Sequence, residues 1–367
     1  MRAVRWLPVL VLLTVARGAA AAEPQRAWPQ SREGLVFLWQ NGNRVQSPAY
    51  ALDAAGAPLQ AYAPGPRGTA LLGQHYEMVL GQGSYLAERV SEHLVKQVLE
   101  AKAFTFTAWV TPAKKARQEL GHIVCCTGTD GAVNFAVAQK GEALLGVVKT
   151  AAGPPAGADG WVPLGPIAAG KGFHLAVSCG GGAIVAYRDG KEVHRAGSGG
   201  DVAGWQPGTL VFGDAPDEKS TWTGRLEGIA AYARSLGAEE IAADAAAWQG
   251  RVAARQPAPQ VRIQGTLLQR SESEVDKLGA YFRALGLFEY KVDKVLAGTF
   301  ADESIFVFHW TVMHRKLLPI ASREVGKSYE LSVEPFADHP ELEPELQFDS
   351  LEWGFDKPVY YDVTEQP

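Results

Sequence analysis

The sequence predicts an all-β fold, a two-sheet sandwich followed by a smaller β-rich domain carrying one helix. Three observations predict it. Short runs alternate apolar and polar residues, as half-buried strands do. Gly- and Asx-Gly turns punctuate those runs at short intervals. The composition is rich in glycine (40 residues) and aromatics (10%) and modest in charge (20%), which is turn-rich and globular rather than disordered. The length of 367 residues suits about two domains.

The chain opens with Arg2 and Arg5, an apolar run from Trp6 to Val15, and small residues from Gly18 to Ala22. This is the pattern of a secretion signal, with cleavage after Ala20, Ala21 or Ala22. The apolar run is shorter than the roughly 20 residues that span a bilayer, and no later segment is apolar enough to cross one. Residues 1–22 are therefore expected to be removed and the protein to be periplasmic or extracellular. That removal takes away Arg2, Arg5 and Arg17 and no acid, so the net charge moves from -5 to -8. An acidic chain of this kind argues against nucleic acid as a partner.

Residues 34–250 read as the sandwich. Phe104–Pro112 alternates cleanly, with Phe104, Phe106, Ala108 and Val110 on one side and Thr105, Thr107, Trp109 and Thr111 on the other. Pro112 ends the strand. Further strands are expected at Gly121–Thr127, Val133–Gln139, Leu144–Thr150, Gly172–Ser178 and Ala183–Tyr187. Asp189-Gly190 is a strong hairpin signal. In Gly224–Ile241, Leu226, Ile229 and Tyr232 break the period of two, which a bulge near Gly228 would reconcile. A helix then starts, with Gly237 as N-cap and Glu240 three residues on, and runs to about Ala254.

Residues 251–260 form a linker, with prolines in Gln256–Gln260. Residues 261–367 read as the second domain. Val261–Gln269 is a strand. Ser271–Glu274 can cap a helix with Val275, Leu278, Phe282 and Leu285 on one face. Leu287–Leu296 is a long strand. Ser304–Val312 is apolar on both faces and so central. Tyr329, Leu331 and Val333 alternate in another strand, and Pro358–Val363 supplies the last.

Together, Phe104–Pro112, the Tyr187–Lys191 hairpin, Leu210–Asp214 and Gly224–Ile241 resemble the laminin-G-like (concanavalin-type) jelly-roll domains of bacterial secreted proteins. Tyr85–Ala103 is similar to the segment that leads into the first core strand there. The chain departs at Gly237, where relatives usually carry Ser. In the second domain Tyr290–Gly298, Ile305–Trp310 and Val325–Leu331 resemble a partly open OB-type barrel, as in netrin-like modules.

The resemblance bears on chemistry as well. Enzymes on this sandwich hydrolyse β-glucans with a Glu-x-Asp-x-x-Glu strand. The nearest string here is Glu274-Val-Asp276, which lacks the second Glu. No Gly-x-Ser-x-Gly, Walker or His-Glu-x-x-His motif is present either, and no catalytic residue is assigned. Some laminin-G-like domains bind calcium at a sandwich edge. Asp130, Asp214 and Asp217 are the loop carboxylates that could hold Ca²⁺, against the plain reading of turn carboxylates. Sugar faces stack on flat rings, so Trp109, Trp161, Trp205 and Trp222 are the candidate ligand-binding residues, against the plain reading of core.

Three cysteines allow one disulfide, Cys179 with Cys125 or Cys126, or three buried thiols. His309, His314 and His339 make a metal site only if a turn brings them together. The stretch from Glu334 to Asp356 holds eight acids and no Lys or Arg. It reads as a divalent-cation loop or, lacking calcium-loop spacing, as a solvated acidic loop. The expected function is non-catalytic binding of a polysaccharide or surface glycoconjugate. The alternative is a structural or protein-interaction part of a cell-surface or exopolysaccharide assembly, with a surface protein as partner.

Overall fold

A computed structural model describes residues 28–41, 43–44, 47–48, 65–68, 70–81, 83–87, 90–114, 118–153, 160–351 and 357–364. The proposed secretion signal lies outside the described residues. No described helix is long and apolar enough to cross a membrane.

The strands run in chain order as β1 (Leu35–Trp39), a two-residue pair β2 (Asn43–Arg44) and β3 (Ser47–Pro48), β4 (Gly65–Gly68), β5 (Leu71–Leu72), β6 (Met78–Leu80) and β7 (Gly83–Ala87). After helix α1 (Val90–Ala101) come β8 (Phe104–Pro112), β9 (Gly121–Gly128), β10 (Val133–Lys140), β11 (Ala143–Val148), β12 (Val162–Pro166) and β13 (Phe173–Gly180). Then follow β14 (Ala183–Arg188), β15 (Lys191–Gly197), β16 (Gly208–Phe212), β17 (Gly224–Tyr232) and helix α2 (Ala238–Ala253). The remaining strands are β18 (Val261–Arg270), β19 (Ala284–Ala297), β20 (Ser304–Met313), β21 (Lys316–Leu317), β22 (Ser328–Pro335), β23 (Leu346–Phe348) and β24 (Val359–Asp362).

Two antiparallel sheets form the sandwich. The first has the order β15-β14-β13-β8-β17-β6-β5, with β1 also on β17, and the second the order β12-β11-β10-β9-β16-β7-β4. The inward side of β8 meets the second sheet, where Phe104 lies 4.6 Å from Phe135 and 5.0 Å from Trp205 between ring centroids. The outward side of β8 is also covered, because Trp109 packs with Ile241, Ala247 and Trp248 of α2. Both sides of β8 are therefore buried, and the alternation separates two apolar layers rather than core from water.

Helix α1 was not expected from the sequence. Leu94, Val95 and Val98 sit on one helical face and enter the main core. The Asp189-Gly190 hairpin forms, with φ of 49° and 79°, both in the left-handed region this two-residue turn requires. The bulge forms too: the register between β17 and β8 shifts between Glu227 and Ala230. Gly228 there has φ +56°, and a Cβ on it would lie 2.5 Å from the Trp248 ring. This bulge divides one side of β17. Gly224–Leu226 pair with β6, and Ile229–Tyr232 pair with β1.

β18, β19, β20, β24 and β22 close into a five-stranded barrel, since β20 also pairs with β19. All these pairings are antiparallel except β20 with β24. A barrel was expected here, and it is closed rather than partly open. The expected helix over Val275–Leu285 does not form. Only a 3₁₀ turn at Val275–Leu278 appears, and Gly279 (φ +56°) ends it. Ala284 and Leu285 belong instead to β19, where strand pairing outweighs the weak helical pattern. Phe282, expected on the helix's buried face, is 64% exposed.

Arg283 ties the barrel to the sandwich. It forms a two-pronged ion pair with Glu345 (2.8 and 2.6 Å) and donates to the Ala70 carbonyl at 2.9 Å.

Candidate functional site

A cleft of about 580 Å³ opens on the outer face of the first sheet, beside the part that α2 covers. Trp109 and Thr111 of β8, Val79 of β6 and Arg225 of β17 line it. Val252 and Arg255 at the C-terminal end of α2 wall one side, and Lys114 and Gly170 another.

Two carboxylates, Glu77 and Glu227, also line it. The register Arg225↔Val79 and Leu226↔Met78 carries Glu227 to a position opposite Glu77 on the same face. Glu77 is 2% exposed and Glu227 4%. Glu77 accepts from Arg225 Nη1 at 2.7 Å and from the His75 backbone N–H at 3.0 Å. Gly73 leaves room for it, because a Cβ there would lie 2.3 Å from Glu77 Oε1. Glu227 accepts from both terminal nitrogens of Arg255 and, at 3.1 Å, from Asn41 Nδ2. Asn41 Oδ1 in turn accepts from the Gly228 N–H at 3.0 Å, so the bulge itself aims Glu227. Burial, and then Arg255, hold His75 below the usual imidazole range against the pull of Glu77, Glu227 and Glu341.

A narrower, more polar compartment of about 270 Å³ continues towards the barrel and shares Val79 and Arg225 with the cleft. Gln74 comes from the sandwich, and Glu334, His339, Glu341 and Tyr361 from the barrel side. His339 sits between two carboxylates, with Nδ1 2.9 Å from Glu341 Oε1 and Nε2 3.0 Å from Glu334 Oε2. Two carboxylate acceptors favour the doubly protonated ring. Burial pulls its pKa down, but the two glutamates outweigh burial and hold it above the usual value. The second Glu341 oxygen, Oε2, is buried without a hydrogen-bond partner among the described residues.

Of the four candidate tryptophans, Trp109 alone lines this cleft. Trp205 and Trp222 are core residues, their indole N–H groups donating to the Lys149 carbonyl (2.9 Å) and to Gln139 Oε1 (2.7 Å). Trp161 is partly exposed on the far sheet, 5.6 Å from the His122 ring. No shared platform joins them.

The carboxylates Asp130, Asp214 and Asp217 do not converge either. Gly128 pairs with Gly208 and Val124 with Phe212, so Asp130 and Asp214 lie at opposite ends of β9 and β16. Four residue steps of strand put them more than about 13 Å apart. Asp214 accepts from Ala215 N, Ser220 N and Thr221 Oγ1, and Asp217 and Asp130 each accept from a backbone N–H two residues on. Among the described residues no three His, Cys, Asp or Glu side chains are placed to hold a metal ion. His309 lies inside the barrel and His314 is exposed on a turn, so neither joins His339.

The disulfide is not formed; all three thiols are free and buried. Cys126 faces the main core and accepts from Asn134 Nδ2 at 3.7 Å, while Cys125 faces the opposite side against Val147. Burial pushes each of the three thiols up to about 12. In the acidic stretch, Glu334 and Glu341 bind His339 and Glu345 binds Arg283. Residues 352–356 of that stretch lie outside the described residues.

Sequence reasoning missed His75, Glu77, Arg225, Glu227 and Arg255. A signal was available for one of them: Glu227 interrupts an apolar strand beside the bulge glycine, a costly place for a charge without a partner.

Residues 83–242 match the family model of the concanavalin A-like lectin/glucanases superfamily. No curated protein matches the chain in sequence. Among solved structures, a Trypanosoma rangeli sialidase is similar at 16% identity and a TM-score of 0.42, over 57% of this chain and 32% of the sialidase. The chain thus spans about a third of that relative's length. The binding domain of botulinum neurotoxin DC, solved with SialylT, is similar at 10% identity and a TM-score of 0.41, over 91% and 79% of the two chains. A pentraxin from Limulus polyphemus is similar at 17% identity and a TM-score of 0.32, over 39% and 70%.

Proposed function

We propose that this is a secreted binding protein that takes a glycan into the cleft at Trp109, with residues 1–22 as its export signal. The observation that carries the reading is the cleft's make-up: the Trp109 indole, 8% exposed, beside paired Glu and Arg side chains. Sugars present apolar ring faces and rows of hydroxyls, and that pairing of aromatic surface with planar charged partners suits both. The lectin-like fold is consistent with it, although folds host many functions. Binding is favoured over hydrolysis because Glu77 and Glu227 each already accept from an arginine, which holds both carboxylates in fixed ion pairs.

A glycan array with the purified protein tests the reading. Arg225→Ala removes one wall of the cleft and is expected to weaken the best array ligand by about tenfold, roughly 1.4 kcal/mol. An array without hits, together with a protein partner recovered in a pull-down, would replace this reading with a protein-interaction role. Exposed Tyr281 and Phe282 on the barrel are the observation that favours that second role.

A further inference from the structure

The compartment beside the barrel has a chemical bias that the main cleft lacks. Its buried charges are mostly acidic, and they are incompletely matched. Glu341 is 7% exposed, spends Oε1 on His339 and leaves Oε2 with no partner. Glu334 faces the other side of the same imidazolium, so one positive ring serves two carboxylates. Arg225, which also lines the compartment, is already bonded to Glu77 and is half-exposed. A buried carboxylate oxygen without a donor costs more than a hydrogen bond is worth when made. The missing element is therefore a compact group carrying several N–H donors and a positive charge. The volume of about 270 Å³ admits one sugar-sized unit rather than a peptide segment.

The two compartments are continuous. They share Val79 and Arg225, and the charge of Glu341 reaches His75 in the main cleft. A ligand lying across Trp109 can thus extend one residue into the acidic end.

We infer that the glycan carries a free amino group, an unacetylated hexosamine whose ammonium binds Glu341 in the compartment between sandwich and barrel. This rests on the glycan reading of the cleft. An ammonium presents three donors and a full charge to the buried, unpartnered oxygen. An N-acetyl group presents one neutral donor and a methyl that the acidic walls do not suit. A lysine-rich peptide carries the same ammonium but lacks the rows of hydroxyls that suit the Glu and Arg side chains of the main cleft.

Calorimetry with three probes tests the inference: glucosamine oligomers, N-acetylglucosamine oligomers of equal length, and oligolysine. Glucosamine oligomers are expected to bind at least tenfold more tightly than the other two. The preference should shrink several-fold in 0.5 M salt, as a charge contact does. Glu341→Gln should abolish it, bringing glucosamine oligomers down to the affinity of their N-acetyl counterparts. If this variant does not fold, Glu334→Gln serves in its place. Equal affinity for the two sugars overturns the amino-sugar inference and leaves the glycan reading standing. Oligolysine binding as tightly as the amino sugar overturns it in favour of a peptide. A preference that survives in folded Glu341→Gln removes Glu341 from the assignment. If neither sugar binds, the glycan reading itself fails.

Discussion

Single positions decide what this chain's side chains can do, and some were legible in the sequence. The break of period between Leu226 and Ile229 located the bulge, because residues three apart face the same core only if the strand is interrupted; Tyr232 faces α2 instead. Gly228 supplies the left-handed φ, and Trp248 fills the space where its side chain would stand. Gly228→Ala is accordingly expected to cost about 2 kcal/mol from backbone strain and overpacking, read from denaturant unfolding. Trp205 is a second test. It lies between Phe104 and Phe135, so Trp205→Ala should cost about 3–5 kcal/mol, and it should leave glycan binding unchanged once the protein is folded. The indoles could not be sorted from sequence, since a core tryptophan and a cleft tryptophan look alike until strand order is known. Adjacent Cys125 and Cys126 were a clearer case, because successive strand residues face opposite ways and at most one of them could share a layer with Cys179.

Whole elements were easiest to read where a strong local signal agreed with the tertiary environment. β8, the β14–β15 hairpin, β17 and α2 formed close to where they were expected. At α2 the Gly237 N–H donates to Glu240 Oε2 at 3.1 Å, and Arg234 grips the same carboxylate. Glycine has no side chain to complete the reciprocal half of a capping box, so Glu240 carries the helix start alone. Glu240→Ala should cost about 1 kcal/mol, measured as a shift in the thermal midpoint. Two elements were misread for opposite reasons. α1 hid because Leu94, Val95 and Val98 stand in a short segment between strands. The helix expected after Ser271 was drawn from apolar spacing that β19 claims once β18 and β20 flank it. The cleft was illegible for a related reason: Glu77 and Glu227 are far apart in sequence, and only the β6–β17 register brings them face to face.

Over the whole molecule, two buried groups set opposing responses to pH. Burial raises Asp244 to about 6, against the backbone N–H of Gln30 and the Tyr232 hydroxyl that bond it. Its contribution to stability is present below the unfolded value of 3.8 and is lost as pH rises through about 6. Burial lowers His174 to about 4, and both its ring nitrogens lack partners. Its contribution is present above 6.5 and is lost as pH falls through about 4. Each is worth roughly 3 kcal/mol, so the two nearly cancel between pH 4 and 6. Urea unfolding across that range should expose them separately. Relative to the wild type, Asp244→Asn should lose stability on acidification and His174→Leu should gain it. Parallel curves for all three proteins would show that neither group titrates as described. The position of β17 has a different consequence, one of timing. Its three partners β1, β6 and β8 leave the ribosome well before residues 224–232 do, and until then their edges stand open. A half-made chain is therefore two partial sheets, β5–β6 and β8–β13–β14–β15, with open edges awaiting one seam, and its safety depends on how quickly that seam is sewn or on what shields it meanwhile.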